Sequence, residues 1–165
     1  MKNGMKALIV VALTGFACAQ VGYAQGLAKR GSFSGMFGWH VSSGQTLAVD
    51  KDHLVWGGVA SGSFRNDAGN GFLHASAAAC TFSGEFRKDV VTHNGGDCVA
   101  TDPEGDKISM AWKCTTCPAT GDFQWTGGTG KYAGIKGRGT FVQADAGPAG
   151  SNSGWSAWKG QWELP

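Results

Sequence analysis

An all-β chain closed into an antiparallel barrel of about eight strands is the fold this sequence predicts, and three observations predict it. Apolar residues alternate with polar ones at period two in run after run. No window beyond the N-terminal segment carries apolar residues at i, i+3, i+4 and i+7 through three turns. Clusters of Gly, Asn, Asp and Pro punctuate the runs. An even number of antiparallel strands rich in aromatics closes most simply on itself, which leaves no exposed edge. A β-sandwich is the alternative architecture.

The chain starts with Lys2 and Lys6, an apolar run from Ala7 to Ala17 and a small-residue region. That order predicts a secretory signal peptide over residues 1–24, followed by one domain over 25–165. Ala17-Cys18-Ala19 offers an earlier cleavage site; Phe16 is too bulky for Cys18 to serve as a lipoprotein anchor. The apolar run is shorter than the ~20 residues that span a membrane. The expected location is the periplasm or the exterior. Removal of residues 1–24 leaves 141 residues, enough for one core. It takes away two lysines and no acid, so 14 basic residues against 12 acidic become 12 against 12. A formally neutral domain argues against nucleic acid or an anionic membrane as partner.

Along the chain, Phe33, Phe37, Trp39 and Val41 share one parity. The segment from Ala75 to Ala79 fits period two better than a helix. Ile108, Met110, Trp112 and Cys114 oppose Ser109 and Lys113; Phe123 and Trp125 alternate with Gln124 and Thr126; Trp158, Trp162 and Leu164 close the chain on one face. These read as half-buried strands. Turns are expected at 42–44, 50–52, 66–71, 94–97, 102–106 and 147–150. Glycine precedes an aromatic by two residues at Gly31/Phe33, Gly35/Phe37, Gly62/Phe64, Gly84/Phe86, Gly121/Phe123, Gly139/Phe141 and Gly160/Trp162. Residues i and i+2 share a face, so this reads as a packing device that leaves room beside a ring.

Four cysteines remain beyond the signal peptide: Cys80, Cys98, Cys114 and Cys117. An even count in an exported chain points to disulfides. Pairing Cys80 with Cys98 and Cys114 with Cys117 closes two local turns, and crossed pairings stand beside it. Cys114-Thr115-Thr116-Cys117 lacks the His of a haem site, the helix of a redox motif and the second Cys-x-x-Cys of a zinc ribbon.

Six glycines fall within residues 127–139, between strand-like runs at 122–126 and 140–144. A phosphate loop fails here, because Tyr132 stands where Ser or Thr is needed and no helix follows. The stretch Gly127-Gly128-Thr129-Gly130-Lys131-Tyr132-Ala133-Gly134-Ile135, continued by Gly137, Gly139, Thr140 and Phe141, resembles the allene oxide cyclase and dirigent-like barrels. Together with Asp102-Pro103-Glu104-Gly105-Asp106-Lys107 it also resembles a set of small exported bacterial proteins. The resemblance covers about residues 98–144. It implies an eight-stranded barrel with a central apolar cavity, often oligomeric, whose enzyme members cyclise or steer small hydrophobic molecules. No residue here carries over as catalytic.

Asp97, Asp102, Glu104 and Asp106 lack the order of a calcium loop and read as a solvated turn. No histidine spacing marks a metal and no nucleophile elbow exists. His40, His74 and Glu85 are the candidate catalytic groups, with both histidines expected in strands. Trp39, Trp56, Trp112 and Trp125 sit mid-strand and are the candidate ligand-binding residues. The function expected is an exported barrel binding a small hydrophobic or aromatic molecule, without cofactor or metal. A cofactor-free isomerase or cyclase, in which an apolar cavity positions a reactive substrate, is the second reading. A structural or envelope protein without a ligand is the third.

Overall fold

A computed structural model describes residues 27–88, 90–116, 120–145 and 151–165. The expected signal peptide and Cys117 lie outside them. Eight strands follow in order: β1 (Arg30–Asp50), β2 (His53–Asn66), β3 (Ser76–Arg87), β4 (Val90–Thr101), β5 (Lys107–Thr116), β6 (Thr120–Gly128), β7 (Arg138–Asp145) and β8 (Ser153–Glu163). Each pairs antiparallel with its neighbours in sequence, and β8 returns to β1 over Arg30–His40, so the sheet is a closed barrel. Because β1 bonds both β2 and β8, the sandwich alternative falls.

Period-two alternation decides what faces in. Phe33 and Phe37 on β1, Ala60 and Phe64 on β2, Ala78 and Cys80 on β3, Cys98 and Ala100 on β4, Ile108 and Met110 on β5, Phe123 and Trp125 on β6, Phe141 on β7 and Trp158 on β8 are buried. One end of the barrel is plugged. The β2–β3 connection sends in Phe72 and Leu73, and the β6–β7 connection, which opens with a 3-10 turn at Gly130–Tyr132, sends in Tyr132 and Ile135. Phe72 stacks on Trp162 with centroids 4.3 Å apart and meets Phe33, Trp125 and Tyr132 at 5.3–5.8 Å.

The glycine-x-aromatic repeat resolves into a cross-strand interlock. Gly31 lies opposite Trp162 and Phe33 opposite Gly160, on β1 and β8. Gly121 lies opposite Phe141 and Phe123 opposite Gly139, on β6 and β7. Gly84 lies opposite Trp56. In each pair the ring occupies the space a glycine Cβ would need. An antiparallel neighbour reverses the order, so Gly-x-aromatic on one strand meets aromatic-x-Gly on the next, and each ring covers a bare backbone.

Candidate functional site

The end opposite the plug holds a cavity of about 690 Å3, within the ~300–1,000 Å3 range of small-molecule sites. Strand parity brings seven rings around it: Phe37 and Trp39 from β1, Trp56 from β2, Phe82 from β3, Trp112 from β5, Phe141 from β7 and Trp158 from β8. The rings brace one another. Phe37 stacks on Phe64 at 4.6 Å, Phe141 stacks on Trp158 at 4.9 Å, and Trp112 meets Phe141 edge-on at 5.8 Å. The polar lining includes Asn94, Gln143, Asn152, Ser156 and, towards the β1–β2 hairpin, Gln45 and Thr46. Ser156 Oγ accepts a hydrogen bond from Trp158 Nε1 at 2.7 Å, which fixes that indole. Among the described residues, no Asp, Glu, His, Lys or Arg lines the cavity.

Of the predicted ligand-binding residues, Trp39, Trp56 and Trp112 line the cavity. Trp125 does not. It lies deeper, opposite Met110, in the packed half of the barrel, where its Nε1 donates to the Gln161 carbonyl at 3.0 Å. Parity places a side chain inside; only depth along the strand decides whether it meets the cavity or the plug. Phe82, outside the predicted tryptophan set, also lines the cavity because it shares the inward parity of Cys80 on β3.

The three candidate catalytic groups are not brought together. His40 is exposed and outward, one residue from the inward Trp39. His74, expected in a strand, lies in the β2–β3 connection between Leu73 and Ala75, both of which have positive φ. Glu85 faces outward, with His53 Nε2 at 2.8 Å and Arg87 Nη2 at 2.7 Å. Hydrogen bonding to Arg87 holds its carboxyl below the usual range, as expected for a carboxylate in a surface ion cluster.

Cys80 and Cys98 form a disulfide between directly opposed residues of β3 and β4, both buried in the cavity wall. Cys114 is also disulfide-bonded.

The acidic turn is not solvated as expected but docked under the glycine segment. Asp102 is buried, and its Oδ1 accepts from the backbone N–H of Glu104 and of Asp106 at 2.9 and 3.0 Å. Lys131 Nζ reaches Asp102 Oδ2 at 2.6 Å and also contacts Glu104. The Lys131 backbone N–H donates to Asp106 Oδ2 at 3.1 Å, and Thr129 Oγ1 accepts from the Lys107 N–H at 2.9 Å. Gly130 has φ +49, and a Cβ there would overlap the Asp106 carboxylate. Oxygens of Asp102, Glu104 and Asp106 lie within 4.8 Å of one another, and the Lys131 ammonium pairs with two of the three, Asp102 and Glu104. Burial raises the Asp102 carboxyl, but Lys131 and the two backbone donors outweigh it and hold the group below its ordinary value. Burial likewise opposes charge on Lys131, and Asp102 and Glu104 more than offset it, so its pKa is raised. Burial pushes the neighbouring Tyr132 hydroxyl up as well. The two motifs that carried the family resemblance are therefore the two halves of one latch.

No protein-family model and no curated protein matches this chain. Four solved chains match its fold. One is a pterocarpan synthase dirigent protein, 9% identical over 83% of this chain and 87% of that one, with a TM-score of 0.50. At that identity the likeness is one of architecture: the chain is a dirigent-like closed barrel.

Proposed function

We propose that this domain binds a small, uncharged, largely aromatic molecule in the open half of its barrel. One observation carries the reading: seven rings surround about 690 Å3, and no titratable side chain stands among the described residues of the lining. A charged ligand would lose its hydration there without gaining a counter-ion, whereas a flat apolar one gains ring contacts. Asn94 and Gln143 can orient a hydroxyl or carbonyl. The reading includes export, which the Cys80–Cys98 disulfide favours. The barrel likeness keeps a cyclase-like or steering activity as the second reading, in which positioning in the cavity, rather than an acid or base, would do the work.

Titration of tryptophan fluorescence with 2-naphthol and with 2-naphthoate tests this. Quenching by the neutral probe, at least about tenfold weaker binding of the anion, and about tenfold loss in Trp39→Ala are expected. His40→Ala and Glu85→Gln should bind as the parent does. Absence of quenching by either probe, or equal binding of the anion, overturns the reading.

A further inference from the structure

A second recess, of about 1190 Å3, lies on the outer face of the barrel over β5 to β8 and β1. The glycine–aromatic interlock lies beneath it. Gly139 and Gly160 are directly opposed on β7 and β8. A Cβ at Gly160 would stand 2.7 Å from Phe123 Cζ and 3.1 Å from Phe33 Cε1, and one at Gly139 would overlap the Lys159 carbonyl. With neither Cβ present, the backbone packs directly on those rings, and both glycines line the recess.

The hollow is rimmed by long polar side chains. Lys113 stands opposite Asp122, Asp122 opposite Thr140, Thr140 opposite Lys159, and Lys159 opposite Ser34. This is one row across the strands, with Arg138 two residues along β7 and Gln124 and Gln161 beside it. Lys113 and Lys159 are three strand spacings apart, about 14 Å. Among the described residues, Lys113, Arg138, Lys159 and Asp122 take part in none of the ion pairs of the fold. Three cations against one carboxylate leave a local excess of positive charge on a domain expected to be neutral overall. The remaining outward side chains are amides and hydroxyls, apart from the two alanines Ala68 and Ala111.

We propose that this outer recess is a binding groove for an extended carboxylated polysaccharide. Spaced cations match carboxylates carried on successive sugar residues, and the amides, Thr140, Ser34 and Asp122 match the hydroxyls between them. Nucleic acid fits less well. Its charges recur every ~1.7 Å of duplex and call for a dense basic stripe. Single strands call for exposed rings to stack on, and the aromatic residues here face inward.

Affinity electrophoresis in polygalacturonate, with neutral dextran and duplex DNA as comparators, tests the assignment. The parent should be retarded by polygalacturonate at ~10 mM salt, where surface charges act over about 30 Å, and released near 1 M, where they are screened within about 3 Å. Neutral dextran should not retard it. The triple variant Lys113→Gln/Arg138→Gln/Lys159→Gln should lose about tenfold or more in affinity, and Lys113→Arg/Lys159→Arg should retain it. All these side chains are exposed, so an unchanged near-ultraviolet spectrum and unchanged 2-naphthol titration show that the fold persists. No retardation of the parent, equal retardation of the triple variant, or tighter binding of DNA than of polygalacturonate overturns the assignment.

Discussion

Lys131 ties the glycine segment to the acidic turn at 102–106, and its chemistry sets a pH window. The Asp102 carboxyl is depressed in the fold, so its contribution is complete above its ordinary value of 3.8 and is lost as pH falls through the lower folded value. The Lys131 ammonium is raised, so its contribution is complete below the ordinary 10.5 and is lost as pH rises through the higher folded value. Lys131→Met leaves Asp102 buried without its cation. It should cost about 2 kcal/mol near neutral pH, less than a fully buried pair because Lys131 is 30% exposed. The difference from the parent should shrink below about pH 4 and above about pH 11. Denaturant melts of both proteins across pH read this directly; a pH-independent difference would show that packing of the lysine stem, not the ion pair, is what was lost.

At the scale of the strands, glycines separate into interlocked positions, which cannot take a Cβ, and open positions, which can. Gly38 on β1 has nothing within 4 Å of a would-be Cβ. Gly38→Ala should be neutral or stabilise by about 0.5 kcal/mol, because it restricts the unfolded chain. Gly139→Ala forces a methyl into the Phe123 ring and the Lys159 carbonyl and should cost about 3 kcal/mol or more. Thermal melts of the two variants side by side check the contrast. The same interlock explains why the repeat shows irregular spacing along the chain: its period lies across the sheet, where antiparallel register pairs residues far apart in sequence.

Over the whole molecule, closure depends on the narrowest seam. Among the described residues β6 and β7 share five register pairs, Thr120–Gln124 against Arg138–Val142, whereas β7 and β8 share seven and β1 and β2 fourteen. The latch at 102–107 and 129–132 flanks this seam. Backbone amides of Gly139 and Phe141, which face β6, should therefore exchange with solvent faster than those of β2 paired to β1, and Lys131→Met should accelerate them further. Hydrogen exchange followed by mass spectrometry resolves the two strands; uniform protection around the barrel would refute the seam. The cavity at the open end is bounded by rings from β1, β2, β3, β5, β7 and β8, so its shape depends on closure as a whole rather than on any one hairpin.

Local pattern alone determined that this protein is all-β, that it closes with about eight antiparallel strands, and that Phe33, Phe37, Ile108, Met110, Phe123 and Trp158 face one way. Period-two burial and turn chemistry act over a few residues and are legible there. The Cys80–Cys98 bridge was within reach for a similar reason, since it spans one hairpin with a sequence separation of 18. Tertiary structure decided the rest. Depth along the barrel axis put Trp39, Trp56 and Trp112 at a cavity and Trp125 in a packed core. Register turned scattered Gly-x-aromatic pairs into an interlock, and it brought Asp102 to Lys131 across a gap that the chain order does not show. Depth, register and docking each depend on where a neighbouring strand lies, and a strand's own residues do not carry that position.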